Sequence, residues 1–226
     1  MRAWRISESE RGWVTGHEGG WIRGWSARGD QVLFEAQHVD PVFPGMHGSM
    51  ACVAPSPDGG RVAFSSVEAV HVGWVDLLTE EITLTGGMLG GRMGEHARPR
   101  WNDDGTALWY TFASGTFPPS LYDFTRGEAS RLERPSTLDD VRGRFAVGLA
   151  RPYAALYDAR APRVLAFLSL TPTGGFLQTE AGYVAGEPEV LASLPLEQQA
   201  PDISARYDPK RVRAALAGVP LQPVHR

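Results

Sequence analysis

The residues of this chain that could do chemistry include a serine and a cysteine close to a histidine. The segment MHGSMAC contains His47, Ser49 and Cys52 within six positions. Acyl transfer needs a nucleophile, a base and a group that orients the base, and a nucleophilic serine often sits on a G-x-S-x-G turn. The segment lacks that turn. We therefore interpret Ser49 as part of a turn and Cys52 as a small buried residue, and we predict no catalytic residue.

The histidines do not cluster at the spacing of metal ligands. They lie at positions 17, 38, 47, 71, 96 and 225. A structural or catalytic zinc site needs three or four His, Cys or carboxylate ligands. The acidic stretch 102–105 is too short for a calcium loop, and the glycine-rich segment 85–94 lacks the G-K-[ST] of a phosphate-binding loop. The sequence predicts no metal and no cofactor.

Composition indicates a globular chain without a nucleic-acid or membrane partner. The chain has 226 residues, 42% of them hydrophobic, and a net charge of −4, whereas nucleic-acid binders usually carry a basic face. One cysteine allows no internal disulfide. The charged start, residues 1–10, has no apolar signal-peptide core, and no apolar run approaches the ~20 residues that span a bilayer. We expect a cytoplasmic protein.

A tight turn followed by a short apolar strand recurs along the chain. The stretch APSPDGGRVAFSS, residues 54–66, is one copy. Similar turns lie at Gly29, Gly59, Gly105, Gly143 and Gly174. Glycine supplies the positive φ that such turns need, and the aromatic and β-branched residues after each turn favour a strand. The pattern predicts an all-β fold.

A second recurring element places an aspartate after an aromatic-rich strand. Its copies end at Asp76, Asp123 and Asp158, which are 47 and then 35 residues apart. A further short strand follows each copy. Periods of about 40–50 residues with four short strands are typical of propeller blades. We therefore predict a β-propeller-like ring of about five small blades.

The repeats resemble known propeller families. The segment GHEGGWIRGWSARGDQVLFEA is similar to the start of a WD40 repeat, and LYDFTRGE and ALYDARAP stand where WD40 repeats carry Trp-Asp. The segments VAPSPDGGRVAFSS and PRWNDDGTALWYTF resemble the repeats of TolB-like propellers. The resemblance implies that His17 and His47 hydrogen-bond within their own blades. Trp25 and Trp101 fall at matching positions of the repeats, and aromatic residues at such positions are expected to pack in the core.

The predicted ring sets the domain boundaries. We assign residues 1–194 to the propeller domain and 195–226 to a C-terminal tail. The N-terminal strand, residues 1–6, is expected to close the ring by pairing with the last blade, because closure hides exposed sheet edges. Completion of the ring by another chain remains open.

The tail is predicted to contain a short helix over residues 207–218. Asp208 is the expected N-cap, Pro209 the first helical residue and Gly218 the stop. The segment LEQQAPDISARYDPKRVRAALAG resembles the tail of bacterial WD-repeat proteins that accompany caspase-like peptidases, which implies a protein partner. The expected contacts are the helix residues Tyr207, Val212 and Leu216 together with the loop residues Phe43 and Met46.

The leading hypothesis is a non-catalytic scaffold or adaptor in a bacterial multi-protein assembly, with a caspase-like peptidase as candidate partner. The alternative is a propeller-type hydrolase that acts at the central channel, for which carboxylates or a metal would converge on the ring axis. A part in a TolB-like system would require an export signal. The hydrolase hypothesis expects acidic and histidine side chains to meet at the ring axis. The scaffold hypothesis expects these side chains to make hydrogen bonds inside the repeat turns.

Overall fold

The computed structural model describes ten segments of the chain. They are residues 3–9, 12–39, 50–66, 71–85, 97–112, 117–132, 137–150, 153–171, 174–186 and 206–222. Strands dominate these segments, so the predicted all-β class is confirmed. Within them, the structure has no helix with the length and hydropathy needed to span a bilayer.

The strands of the described segments form four antiparallel sheets, each a meander in chain order. The first sheet contains β1 (Ala3–Ser9), β2 (Gly12–His17), β3 (Trp21–Trp25) and β4 (Val32–Gln37). The second contains β5 (Met50–Pro55), β6 (Arg61–Ser66), β7 (Val72–Asp76) and β8 (Ile82–Leu84). The third contains β9 (Ala97–Trp101), β10 (Ala107–Phe112), β11 (Ser120–Asp123) and β12 (Glu128–Arg131).

The fourth sheet has six strands and is followed by a helix. Its strands are β13 (Asp140–Arg142), β14 (Phe145–Ala150), β15 (Tyr153–Asp158), β16 (Val164–Thr171), β17 (Gly174–Gln178) and β18 (Val184–Gly186). Helix α1 (Pro209–Leu216) contacts β16 and β18. The remaining helical element of the described residues is a short 3₁₀ turn over Glu18–Gly20.

The sheets pack face to face in the order of the chain. Three apolar clusters fill the junctions between the first and second, second and third, and third and fourth sheets. The first strands of successive sheets are neighbours, since β1 contacts β5, β5 contacts β9 and β9 contacts β13. Adjacent residues of one strand enter different junctions: Val62 faces the first sheet and Ala63 faces the third. This alternation explains why most strands are apolar on both faces.

The structure corrects the predicted number of blades. The turns at Gly143 and Gly174 were each expected to open a separate blade, but both lie in the fourth sheet. The eight-residue strand β16 pairs with β15 on one side and with β17 on the other, which joins the two units into one sheet. The described residues therefore form four sheets and not five.

Among the described strands, the N-terminal strand belongs to the first sheet, and no pairing with the last blade is seen. Strand β1 pairs with β2, with Ser9 opposite Gly12. Two residues separate these positions in the sequence, so the local hairpin costs far less loop-closure entropy than a pairing with a strand more than 150 residues away. The predicted boundary at residue 194 lies outside the described residues.

Candidate functional site

The aspartates of the repeat turns are used inside the turns. Asp58 accepts hydrogen bonds from the Ser56 hydroxyl at 2.5 Å and from the Gly60 amide at 3.0 Å. These two bonds hold the pKa of Asp58 below its usual value. In the third sheet, Asn102 donates to Asp104 at 2.7 Å, and the Thr106 hydroxyl is the main cause of the lowered pKa of Asp104. These carboxylates stabilise local turns.

The aspartates that end the aromatic-rich strands have the same kind of role. The Oδ1 of Asp76 accepts the amides of Leu78 and Thr79, and that of Asp123 accepts the amide of Thr125 at 2.8 Å. Asp158 accepts the Arg160 amide at 3.0 Å. Each is an Asx turn that leads into the next strand. The third and fourth sheets are also joined by an ion pair between Arg160 and Asp104.

A buried hydrogen-bonded group in the first sheet confirms the structural role predicted for His17. The Trp25 indole donates to the Thr15 hydroxyl at 2.7 Å, and that hydroxyl lies 2.7 Å from Nε2 of His17. All three side chains are on one face of the sheet. His47, the matching residue, lies outside the described residues. Trp101, predicted to pack in the core, is buried and donates to the Ala54 carbonyl across the second junction at 2.9 Å. Trp25, predicted to do the same, is half buried and belongs to none of the three apolar clusters.

The structure brings together two histidines that are far apart in sequence. Nε2 of His38 lies 3.3 Å from Nδ1 of His71, and the His38 ring packs against Phe64 at 5.2 Å between centroids. Within the described segments, no three His, Cys, Asp or Glu side chains are placed to hold a metal ion. Cys52, expected to be buried, is half buried.

The C-terminal helix forms as the sequence predicts. Asp208 caps it by accepting the Arg211 amide at 3.0 Å, Pro209 begins it, and Gly218 follows its end with φ of +83°. A parallel bridge between Tyr207 and Val184 precedes the helix and attaches it to the edge of the fourth sheet. The polar N-cap and the backbone bridge therefore fix the position of the helix.

A cleft opens between this helix and the fourth sheet. Its volume is about 190 Å³. Its lining is mainly apolar, with one acidic and one basic residue: Val164, Leu165, Ala181, Ala215, Val219, Pro220, Leu221, Thr179, Glu180 and Arg163. Arg163 is already engaged, because it donates to the Gly218 carbonyl at 3.2 Å and to Asp158 at 3.1 Å. The cleft is therefore suited to an apolar side chain, and none of these described lining residues offers a free cation for an anion.

The residues predicted to bind a partner differ in their exposure. Tyr207 is 43% exposed, and Leu216 is half buried. Val212 is buried where α1 contacts the sheet, so the structure corrects its predicted role: its side chain attaches the helix to its own fold. Phe43 and Met46 lie outside the described residues.

An apolar row on the fourth sheet is a feature that the sequence reading missed. The strand registers place Leu149, Ala154, Leu168, Leu177 and Ala185 opposite one another in turn across five strands. None of the five is buried, and Leu149 is 47% exposed. Contiguous exposed apolar surface marks interaction sites. The alternation in residues 145–150 was the available signal, but it could not show which face is uncovered.

The fold is that of an all-β protein made of successive antiparallel sheets. No protein-family model matches the chain, and no curated protein matches it. Among solved structures, it resembles a chain of hydrazine synthase from Kuenenia stuttgartiensis, with a TM-score of 0.52 and 15% identity over 78% of this chain. The match covers 56% of that chain, so this chain spans little more than half of its length. At this identity the likeness concerns the fold alone.

Proposed function

We propose that the chain is a propeller-like, WD40-type interaction module without catalytic activity. Support comes from meander sheets that follow one another with their first strands adjacent. The aspartate side chains of the repeated turns accept local hydrogen bonds, which is consistent with a structural role. The arrangement offers loops and terminal elements on a rigid frame, which is how repeat proteins of this kind bind partners.

The observation that carries the proposal is the cleft beside α1 with its exposed apolar rim. Val219 is 52% exposed, and Tyr207 and Leu216 lie on the same C-terminal segment. A half-open apolar cleft anchored by a capped helix fits a partner side chain, because aromatic and aliphatic anchors in such pockets dominate protein interfaces. The partner we propose is a protein, namely the caspase-like peptidase that the tail resemblance implies, within a bacterial cytoplasmic assembly.

The test is a binding measurement with a caspase-like peptidase from the same organism. We expect Val219→Glu to weaken the complex at least about tenfold, since a charge would enter an apolar contact. The control is Arg213→Glu, because Arg213 is exposed on α1, six residues before Val219, and lies outside the cleft lining. Unchanged affinity of the Val219 variant, or no complex with the wild-type chain, would refute the proposal.

A further inference from the structure

The two end sheets of the series each present an outer face with large apolar side chains. On the fourth sheet this face carries the row described above together with Val147, which is 41% exposed. On the first sheet, Trp13 lies opposite Trp25, and Trp25 lies opposite Val32, across β2, β3 and β4. Val32 is 44% exposed. Within the described residues, an apolar face of the fourth sheet and a tryptophan row on the first sheet, beside the Arg23–Glu35 ion pair, are therefore not covered by another sheet.

The outer face of the fourth sheet has the composition of the faces that are covered inside the series. On β10, Leu108 packs in the second junction and its neighbour Trp109 packs in the third. On β14, Ala146 packs in the third junction, but its neighbour Val147 is exposed. The pattern of the inner sheets is thus continued at the end of the series, and no following sheet of the described residues covers it.

We propose that a second copy of this chain covers both faces, so that the first sheet of each copy packs on the fourth sheet of the other. Each inner sheet has one face directed toward the sheet before it in the chain, its preceding face, and one directed toward the sheet after it, its following face. In every inner junction, the following face of one sheet packs against the preceding face of the next. The fourth sheet has an open following face and the first sheet an open preceding face. Among the described segments, no other sheet covers either face. Two copies related by a twofold axis make two such junctions and close a ring of eight sheets, a number found in propellers.

The polar groups of the first sheet permit this burial. The Trp13 indole already donates to the Ala27 carbonyl at 3.1 Å, and the Trp25 indole donates to Thr15. Arg23 and Glu35, which lie beside the Trp row, are paired with each other. Burying the face therefore leaves neither of these indole N–H groups without a partner, which would otherwise oppose association.

The area is sufficient for a stable dimer. Strands about 4.8 Å apart that rise about 3.3 Å per residue give a four-stranded face of roughly 300 Å². Each junction buries two faces and the ring has two junctions, so the dimer buries on the order of 1,200 Å², which is in the range of specific interfaces.

The experiment measures the mass of the purified chain in solution by light scattering after size exclusion. We expect a dimer. Leu149→Arg places a charge on the fourth-sheet face and Val32→Glu places one on the first-sheet face, and each should weaken the dimer at least about a hundredfold. The matched control is Leu78→Arg, since Leu78 is 93% exposed in a turn outside both faces. This variant should remain a dimer.

Mixing the two face variants tests the head-to-tail geometry. Their heterodimer has one unaltered junction and one in which the introduced arginine of one copy meets the introduced glutamate of the other, so the mixture should form dimers that neither variant forms alone. Only folded variants can complement, which separates loss of the interface from loss of folding. A monomeric wild-type chain, an open polymer or a mixture that stays monomeric would each overturn the proposal. None of these outcomes depends on the helix cleft, so this test and the peptidase test fail independently.

Discussion

At the scale of single residues, the aspartate side chains of the repeat turns stabilise those turns through local hydrogen bonds. Asp123 accepts hydrogen bonds from both the hydroxyl and the amide of Thr125, and the hydroxyl is the main cause of its lowered pKa. Asp58 and Asp104 are held in the same way by Ser56 and Thr106. Short polar side chains that bond to nearby backbone favour turns over helix or strand interiors. These three carboxylates are therefore turn-forming groups.

These aspartates predict how the stability of the protein depends on pH. Their folded pKa values lie below the unfolded value of 3.8, so the stability they contribute is present above that value and is lost as the pH falls through the folded pKa. We expect the free energy of unfolding, measured with urea, to fall between about pH 5 and pH 2. The Asp58→Asn and Asp104→Asn variants should show a smaller fall. An equally steep fall in both variants would contradict the assignment.

At the scale of elements, the local patterns were predictable and the long-range pairings were not. The helix could be predicted because Asp208, Pro209 and Gly218 act within a few residues of one another. The strands after Gly59 and Gly105 could be predicted for the same reason. The fusion of two units into the fourth sheet could not, because it depends on competition between pairings that no single segment encodes. The partner of β1 is local, and it was missed because ring closure was weighed above the short hairpin loop.

The helix also offers a prediction about docking. Val212 is buried against the fourth sheet, and its neighbour Arg213 is exposed. Introducing Asp at each of these two positions therefore distinguishes the loss of helix packing from the general effect of Asp on helix stability. Val212→Asp should release α1, and hydrogen exchange of residues 209–216 should become at least about tenfold faster. Arg213→Asp should change this exchange little, and exchange in β10 should be unaffected in both. Equal effects of the two variants would show that the helix is not held by Val212.

At the scale of the whole molecule, the sheets are joined by large aromatic residues that reach across the junctions. Trp101 donates to the Ala54 carbonyl in the second junction, and Trp109 donates to the Ala159 carbonyl at 3.0 Å in the third. Tyr110 donates to the Gly73 carbonyl at 2.8 Å, and its complete burial raises the pKa of its hydroxyl. The sequence showed that these aromatics recur, but which junction each one enters depends on register, since neighbouring residues on a strand point to opposite faces.

The two tryptophans test whether the sheets unfold as one unit. Trp101→Phe and Trp109→Phe each keep an aromatic ring and leave one buried carbonyl without its indole donor, which costs about 1–3 kcal/mol. The substitutions lie on opposite faces of the third sheet, in different junctions, so in a cooperative series each should shift the same single unfolding transition. Urea unfolding followed by far-UV circular dichroism measures this. If each sheet unfolded independently, each variant would shift only part of the circular dichroism signal, and the double variant would show separate transitions. A single shared transition would instead mean that the junctions couple the stability of all the sheets.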